Sequence, residues 1–348
     1  MKYGVTLAGI PGADLKGVYA KKAQDEGFNS VWSDDNPGSD GSIHMTSMVK
    51  SAPDIRVGSG ILRAFLRNPV TIASAFMTMN AMSNTEVILG FGTGTKRQNL
   101  YQYGIEINKP ISQLRSVIGI VRGFWAAAST GEKFSWDDEF YKIQGIRPIA
   151  VRQIGDPNNI AKSSTDNIPI WVAAVNQKMQ QFAGEVANGM CGHPVFGADY
   201  IRDIVMPNIE IGRKKGNIKT PFEFASWATT VVHKDKNEAR RLAGQTIANY
   251  LSTKSYQGIL EYYGIGDRYE EIRQACLVDR DMDRASSLIG NEVIDRIAIT
   301  GPIDEVAEEL KVRYEGIVDH VVVASAGITD WQDRIETIDS IISCKIAS

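Results

Sequence analysis

Two adjacent carboxylates, Asp34 and Asp35, follow a short β-branched run and are candidates for acid–base chemistry. The run Ser30–Ser33 predicts a buried strand, and successive side chains on a strand point to opposite faces. One carboxylate can therefore face a ligand while the other holds a loop, and burial would raise the pKa of the inward one towards the range of proton transfer. An Asx turn leading into Asn36-Pro37-Gly38 explains the same residues equally well.

A pair of glycines marks the next predicted strand, Ile55–Gly60. Gly58 and Gly60 are two residues apart, so both face the same side of the strand. A glycine in a strand marks a bulge or the close approach of a planar or bulky group. The pair therefore indicates either a ligand face or a tight corner of the sheet.

A glycine-rich segment, Gly90-Phe91-Gly92-Thr93-Gly94-Thr95, ends the fourth predicted strand and is followed by Lys96 and Arg97. It lacks the third glycine of a dinucleotide fingerprint and the Gly-Lys-Ser/Thr of a phosphate-binding loop. We interpret it as a flexible floor without side chains, which suits a flat ring whose anionic tail lies near the two cations. Solvated loop charges explain Lys96 and Arg97 equally well.

Further polar candidates follow the later strands. Asn176, after the fifth strand, is placed to cap an amphipathic helix over Lys178–Ala187, and the free N–H groups of that helix start would hold a phosphate; a plain cap is the alternative. His193 follows the sixth strand and would change charge near neutral pH, although a lone histidine is more often structural. Small polar side chains on the last two strands are candidates for a ligand wall: Thr229, Thr230 and Ser325.

The composition excludes several classes of protein. The 348 residues carry 38 Lys+Arg against 41 Asp+Glu, a formal net charge of −3, which favours neither nucleic acid nor a membrane surface as a partner. With 43% hydrophobic residues the chain is neither disordered nor a small disulfide scaffold. The most apolar helical segment, Val70–Met82, is interrupted by polar residues and is shorter than a membrane span. We expect a cytoplasmic protein.

The cysteines and histidines show neither a disulfide pattern nor a metal-binding pattern. The three cysteines form no Cys-x-x-Cys pair, which indicates reduced thiols. The four histidines occur in no metal-ligand spacing, so the sequence predicts no metal site.

Eight β-branched runs alternate with helical patterns and predict parallel βα units. The predicted strands are Tyr3–Ala8, Ser30–Ser33, Ile55–Gly60, Glu86–Gly90, Ile168–Ala173, Gly189–His193, Phe224–Val232 and Val318–Ala324. Eight such units favour an α/β fold with one (β/α)8 TIM barrel over residues 1–348 rather than an open doubly wound sheet. The chain exceeds a minimal barrel, and we predict insertions near residues 129–167 and 256–301.

The strand ends, taken in order, resemble the bacterial luciferase-like superfamily of flavin- and deazaflavin-dependent oxidoreductases. The resembling segments span most of the first 195 residues and are Gly27–Asp34, Ile55–Ile61 with Arg67-Asn68-Pro69, Leu89–Gly94, Tyr103–Glu106 with Lys109-Pro110, and Pro169–Ala174 with Ala183-Gly184-Glu185. Within the superfamily, Asn68-Pro69 and Lys109-Pro110 are most similar to the coenzyme F420-dependent methylenetetrahydromethanopterin reductases and glucose-6-phosphate dehydrogenases.

The resemblance implies a barrel that holds coenzyme F420, a 5-deazaflavin, in its mouth, with FMN as the alternative. It implies a non-prolyl cis peptide at Gly60-Ile61 behind the ring, a phosphate at the turn 174–177, and Asp34 at the ring edge. The cofactor-binding residues that we predict are Asp34, Ser59, Gly60, Ile61, Gly92, Gly94, Thr95, Gln98, Ala174, Val175, Asn176 and Gln177. The predicted catalytic residues are Asp35 and His193.

Two departures bear on the activity. The glucose-6-phosphate enzymes carry His after the aspartate of the second strand and Glu after Gly-Thr-Gly, where this chain has Asp35 and Thr95. Their reaction is therefore not expected here. We expect hydride transfer between the deazaflavin ring and a small organic substrate bound in the barrel mouth, with Asp35 as a candidate for proton transfer.

Two other functions and one partner, a second copy of the chain, are also considered. An FMN-dependent luciferase-like monooxygenase and a catalytically idle flavin-binding barrel are the competing functions. The apolar residues of Val70–Met82 cover more than one helix face, and together with the resemblance they predict a homodimer.

Overall fold

The barrel predicted from the alternating pattern is confirmed: in the computed structural model, parallel strands close into a cylinder flanked by helices. The structure describes residues 1–149, 168–327, 331–344 and 346. Within these ranges the strands are β1 (Lys2–Thr6), β2 (Ser30–Ser33), β3 (Arg56–Ser59), β4 (Leu62–Arg63), β5 (Val87–Gly92), β6 (Phe134–Asp137), β7 (Lys142–Ile146), β8 (Ile170–Ala173), β9 (Gly189–Cys191), β10 (Glu223–Val232), β11 (Ile299–Gly301) and β12 (His320–Ser325).

The cylinder consists of β1, β2, β3, β5, β8, β9, β10 and β12, each paired in parallel with the next. Pairing of β12 with β1 closes it, in a register that places Val5 beside both Val31 and Val323. Two short strands extend the sheet, β4 along β5 and β11 along the end of β10. Strands β6 and β7 form a separate antiparallel hairpin.

Helices follow the barrel strands and cover the outside of the cylinder. In the described ranges they are α1 (Ala13–Asp25), α2 (Gly41–Ser51), α3 (Pro69–Asn80), α4 (Lys96–Tyr103), α5 (Pro110–Thr130), α6 (Gln177–Val186), α7 (Ala198–Tyr200), α8 (Met206–Lys215), α9 (Lys236–Leu251), α10 (Gln257–Tyr262), α11 (Tyr269–Gln274), α12 (Met282–Ile289), α13 (Asn291–Ile297), α14 (Ile303–Arg313) and α15 (Trp331–Ser343). A π-helical turn, Ile201–Val205, joins α7 to α8.

Local chemistry explains where the structure differs from the sequence prediction. The expected flexible segment after β5 contains α4, which begins with a capping box between Thr95 and Gln98. Helix α14 was not predicted, because its narrow apolar stripe buries only Val306 and Leu310. The predicted insertion near 129–167 contains the β6–β7 hairpin, and its residues 150–167 lie outside the described ranges. The insertion near 256–301 consists of short helices and ends in β11.

Three indole rings fill the inside of the barrel. Trp32 lies between the other two, with ring centroids 5.2 Å from Trp171 and 4.9 Å from Trp227. The two glycines of β3 and its bulge make room for them. A Cβ added at Gly58 would lie 2.3 Å from Trp32, and one added at Gly60 would lie 2.5 Å from Trp227. The planar groups that these glycines accommodate are therefore the protein's own tryptophans.

An ion network centred on the half-buried Glu223 occupies the amino-terminal end of the barrel. The Glu223 carboxylate accepts hydrogen bonds from His320 Nδ1 at 2.8 Å, from Arg56 at 2.8 Å and from Lys2 at 3.1 Å. Burial alone would raise the pKa of Glu223, but the hydrogen bonds from His320 and Arg56 hold that pKa well below its ordinary value. A cavity of about 360 Å³, the lower cavity, opens beside this network and is lined by Arg56, Glu223 and Trp171.

The apolar surface on which the homodimer prediction partly rested is mostly covered within the chain. On and just after α3, the side chains of Ala73, Phe76, Met77, Met79 and Ala81 are buried. The indole N–H of Trp125, on α5, donates to the carbonyl of Ala73 and ties the two helices together. The homodimer therefore stays a prediction.

The described residues include no helix that is both long and apolar enough to cross a membrane. Nor do they include a group of three or more His, Cys, Asp or Glu side chains placed to hold a metal ion.

Gly58→Ala tests the packing of the barrel interior. We expect a loss of about 1–3 kcal/mol in the free energy of unfolding, because the added methyl group overpacks against Trp32. Gly258→Ala is the matched control, since nothing lies within 4 Å of a Cβ at that helical position and alanine favours a helix. Urea unfolding measures both, and equal stability of the two variants would contradict the packing argument.

Acid sensitivity tests the network around Glu223. The pKa of Glu223 in the folded protein lies below the ordinary value of 4.5. The charged Glu223 therefore stabilises the fold fully above about pH 4.5, and this stabilisation is lost as the pH falls towards the lower, native pKa. We expect Glu223→Gln to flatten the decline of unfolding free energy between about pH 5 and pH 3. Parallel declines in the two proteins would show that Glu223 is not held in its charged form.

Candidate functional site

A cavity of about 630 Å³, the mouth cavity, opens at the carboxyl ends of the barrel strands. Thr6, Asp34, Ala173 and Cys191 reach it from the ends or end loops of four strands. Its outer wall comes from residues on α9, α12 and α15. Active sites of such barrels are built at this face, and the volume lies within the range of roughly 300–1,000 Å³ typical of ligand sites.

The bulge after β3 forms one side of the mouth cavity. Gly60 and Ile61 line it, and the peptide bond between them is cis, as the resemblance implied. The Gly60 N–H donates to the carbonyl of Ser33 at 2.7 Å. Ser59 lies beneath the bulge, where its hydroxyl accepts from Gly90 N–H and donates to the Gly90 carbonyl. The Ser59 side chain thus joins β3 to β5 and does not face the cavity.

Asp34 lies on the cavity wall and is paired with a buried lysine. The Lys16 ammonium donates to Asp34 Oδ1 at 2.6 Å and to the carbonyl of Leu7 at 2.9 Å. Burial alone would raise the pKa of Asp34, but the charge and hydrogen bond of Lys16, with a hydrogen bond from Asn36, lower that pKa below its ordinary value. Asp34 is therefore ionised at neutral pH.

Sequence reasoning missed Lys16. The available signal was its position four residues before Ala20 and seven before Ala23, within the buried face of α1. A charged residue in such a stripe must find a buried partner, because an unpaired buried charge is costly.

Asp35 is bound by a guanidinium and two backbone groups. Arg67 donates to both carboxylate oxygens, at 2.8 and 2.9 Å, and the N–H groups of Gly41 and Arg63 donate at 3.0 and 3.1 Å. These four hydrogen bonds occupy both oxygens of the carboxylate. The geometry therefore gives no support to proton transfer by Asp35; the side chain instead holds the loop after β2 against β4.

His193 also lines the mouth cavity, with both ring nitrogens engaged. Its Nδ1 accepts from the Val195 N–H at 3.3 Å, so the neutral ring carries its proton on Nε2, which lies 3.1 Å from Tyr256 Oη. Tyr250 and Phe196 pack against the ring. Burial lowers the pKa of His193 to about 3. The imidazole is thus neutral at physiological pH, and its catalytic role stays a prediction.

Four predicted cofactor-binding residues in and after the glycine-rich segment, Gly92, Gly94, Thr95 and Gln98, mainly stabilise local structure. A Cβ at Gly92 would lie 2.6 Å from the Ile61 side chain, so Gly92 supports the bulge from behind. Gly94 has φ of 65°, which favours glycine. Thr95 and Gln98 are occupied by the capping box of α4. None of these four residues is among those that line the mouth cavity.

The turn after β8 borders a second, smaller cavity of about 100 Å³, the tail cavity. Val175, Asn176 and Gln177 line it, while Ala173 lines the mouth cavity. Asn176 stands at the N-cap of α6 without a hydrogen bond from its side chain, so it does not cap the helix as predicted. The Asn176 side chain therefore accepts no hydrogen bond from the first N–H groups of α6.

Of the three small polar residues predicted to form a ligand wall, Thr229 and Ser325 line the mouth cavity. Thr229 lines the cavity and donates to the carbonyl of Pro194, and Thr230 donates to Ala228. Ser325 lines the cavity, and its hydroxyl oxygen is buried and has no hydrogen-bond partner among the described residues. A buried hydroxyl without a partner is costly, so it indicates a ligand or water at this position.

Comparison with known proteins places the chain in a family. A model of the luciferase-like monooxygenase family matches residues 12–320. The chain belongs to this family. The 5,10-methylenetetrahydromethanopterin reductase of Archaeoglobus fulgidus is 26% identical over 99% of this chain and 100% of its own length. The family assignment made from the strand ends is therefore confirmed, and the chain is an oxidoreductase by family.

Solved structures of luciferase-like enzymes share the fold. The coenzyme F420-dependent tetrahydromethanopterin reductase of Methanopyrus kandleri has a TM-score of 0.77 at 21% identity, covering 98% of this chain and 97% of its own. The FMN complex of a type II Baeyer–Villiger monooxygenase from Pseudomonas putida has a TM-score of 0.64 at 16% identity, covering 100% and 98%.

Histidine titration tests the state of His193. We expect its ring protons to show no titration step between about pH 5 and pH 8, because burial keeps the ring neutral. Proton NMR follows the signals, and His193→Asn identifies the one that belongs to this residue. A step near the ordinary histidine pKa that vanishes in the variant would contradict the buried neutral form.

Lys16→Met tests the buried ion pair. We expect a loss of up to about 3 kcal/mol in unfolding free energy, because the partly buried Asp34 carboxylate would lose its cation. The double variant Lys16→Met/Asp34→Asn should lose less than the single one. Additive losses in urea unfolding would show that the two side chains do not stabilise each other.

Proposed function

We propose that this protein is an F420-dependent oxidoreductase that transfers a hydride between the deazaflavin ring and a small organic substrate, both bound in the mouth cavity. The observation that carries the proposal is a cavity of about 630 Å³ with the Gly60–Ile61 peptide on one side and polar side chains of α9 on the other. The similarity to a full-length methylenetetrahydromethanopterin reductase supports F420 as the cofactor.

The residues present fit a flat redox ring. The Gly60–Ile61 peptide offers it a surface without a bulky polar group, and the unpartnered Ser325 hydroxyl offers a hydrogen bond. Asp34, ionised and held by Lys16, would accept a hydrogen bond at the ring edge. Bound F420 supplies the hydride chemistry, and the protein supplies orientation and exclusion of water.

The tail cavity suits the phosphate of the cofactor. Ala173 and Val175 lie two residues apart, about 7 Å along an extended chain, so the mouth and tail cavities are close neighbours. The N–H groups that begin α6 lie at this turn and favour an anion. We therefore propose that Ala174, Val175, Asn176 and Gln177 hold the phosphate through backbone groups.

The substrate would bind between the ring and the outer wall. Gln245, Asn249 and Tyr250 of α9 face the mouth cavity, as does His193. Carboxamides both donate and accept hydrogen bonds, so this wall suits a carbonyl or hydroxyl group. We propose that neutral His193 shapes this wall, and that Asp35 positions the loop that carries Asp34.

A monooxygenase using FMN is the second candidate. The family description and the FMN-bound structural relative favour it. Both rings have the same flat outline and a phosphate-bearing chain, so the mouth and tail cavities suit either. An idle flavin-binding barrel would bind a ring and catalyse no turnover.

Anaerobic titration distinguishes the cofactors. We expect F420 to bind in the mouth cavity and its fluorescence to change on binding, with FMN binding more weakly. Tight binding of FMN together with no binding of F420 would contradict the proposal. Oxygen consumption by the protein with reduced FMN would support the monooxygenase instead.

Asp34→Asn tests the ring-edge contact. We expect about tenfold or greater loss of F420 affinity, because a charge-assisted hydrogen bond contributes about 1.5–3 kcal/mol. Asp25→Asn is the matched control, since this aspartate also pairs with a lysine but is exposed on α1. Thermal melts confirm that each variant is folded. Equal F420 affinity of Asp34→Asn and Asp25→Asn would show that Asp34 does not contact the cofactor.

A further inference from the structure

We propose that Trp32 is a redox-active tryptophan with a built-in proton acceptor, and that a one-electron oxidant in the mouth cavity oxidises it through Trp227. Light-excited flavin or deazaflavin rings are the chemical class of oxidant. The presence of such a ring in the cavity rests on the proposed function. The electron and proton routes from Trp32 rest on contacts within the protein.

The electron route is a direct indole contact. Trp227 lines the mouth cavity and packs against Gly60, the residue before the cis peptide. Its ring centroid lies 4.9 Å from that of Trp32 in an edge arrangement. Adjacent indoles at this separation exchange an electron readily, so oxidation of Trp227 passes to Trp32.

The proton route begins at the indole nitrogen of Trp32. Its N–H donates to Ser30 Oγ at 2.8 Å, and Ser30 Oγ lies 2.8 Å from His320 Nε2. His320 Nδ1 lies 2.8 Å from the Glu223 carboxylate, which only accepts when ionised. The Nδ1 proton therefore points to Glu223, Nε2 is free to accept, and Ser30 donates to it.

His320 is ready to receive a proton. Burial lowers its pKa, so the ring is neutral at physiological pH. Once protonated, the imidazolium would be paired with Glu223, whose carboxylate also meets Arg56 and Lys2. An oxidised indole is far more acidic than a neutral one, so proton transfer through Ser30 follows its oxidation.

Three further tryptophans differ from Trp32 in place or surroundings. The Trp136 N–H donates to Asp138 Oδ2 at 2.7 Å, but Trp136 lies on the β6–β7 hairpin, outside the stack of barrel indoles. The Trp171 ring lies 5.8 Å from the Arg56 guanidinium, whose positive charge disfavours a cation on that ring. The Trp125 N–H donates to the Ala73 carbonyl, which is not a base. Trp32 therefore is where the charge settles.

A glycine of β1 makes the relay possible. A Cβ at Gly4 would lie 2.2 Å from Ser30 Oγ and 3.1 Å from His320 Nε2. A larger residue at this position would push Ser30 away from the histidine. The side chain missing at Gly4 thus leaves room for the hydrogen bond that carries the proton.

The step balances in electrons and protons. Trp227 gives one electron to the oxidant, and Trp32 replaces it with one of its own. The Trp32 N–H bond breaks as Ser30 takes that proton and hands its own to His320 Nε2. The products are a neutral Trp32 radical, an imidazolium paired with Glu223, and an oxidant reduced by one electron.

A laser flash on the full chain loaded with F420 or FMN, whichever the titration shows to bind, tests the proposal. Transient absorption should show a tryptophan cation that converts to the neutral radical, more slowly in heavy water. Trp227→Phe should reduce the yield, and Trp32→Phe should abolish the long-lived neutral radical. Trp125→Phe is the matched control and should leave both signals unchanged.

Ser30→Ala and His320→Gln keep the indole stack and remove the acceptor. Both should prolong the cation at the expense of the neutral radical, and thermal melts establish that each is folded. An unchanged neutral radical in Trp32→Phe, or unchanged deprotonation in both relay variants, would overturn the proposal.

The failure of this inference can be told apart from that of the proposed function. If neither F420 nor FMN binds, the proposed function fails, and the electron transfer fails too because it has no oxidant. If a ring binds and no tryptophan radical forms, this inference alone fails.

Discussion

The packing of three indoles inside a ring of parallel strands is the constraint on which the rest of the structure depends. Trp32, Trp171 and Trp227 pack against one another inside the barrel, with the mouth cavity beside Trp227 at the carboxyl ends of the strands and the lower cavity beside Trp171 at the opposite end. Because Trp227 lies against Gly60, the same packing fixes the height of the bulge that forms one side of the mouth cavity.

The charges of the cavity wall are paired. Each of the two acidic side chains that follow β2 forms an ion pair with a cation from another segment of the chain. Lys16 reaches Asp34 from α1, and Arg67 reaches Asp35 from the segment before α3. Two negative charges can therefore lie at the mouth without repelling an anionic ligand strongly. The pairs also make the wall rigid, because Asp34 accepts from two side chains and Asp35 from Arg67 and two backbone N–H groups.

The sequence was sufficient for the barrel and for part of the site. Eight β-branched runs predict eight strands because buried parallel strands need little besides apolar β-formers. The cavity-lining Gly60 and Ile61 followed from a motif local to one strand end. It was insufficient for contacts between distant segments. Neither the four donors on Asp35 nor the partners of His193 could be read from local spacing, because Arg67, Val195 and Tyr256 are brought together only by the fold. The α4 capping box has a local signature, Thr95-x-x-Gln98, which directly follows the glycines that favour a loop.

The most direct measurement is a crystal structure of the protein with F420. The account predicts the deazaflavin ring against the Gly60–Ile61 peptide, its edge within hydrogen-bond distance of Asp34, and its phosphate at the start of α6. A ring bound in the lower cavity, or an occupied mouth cavity whose ring lies away from Gly60–Ile61 and Asp34, would contradict it.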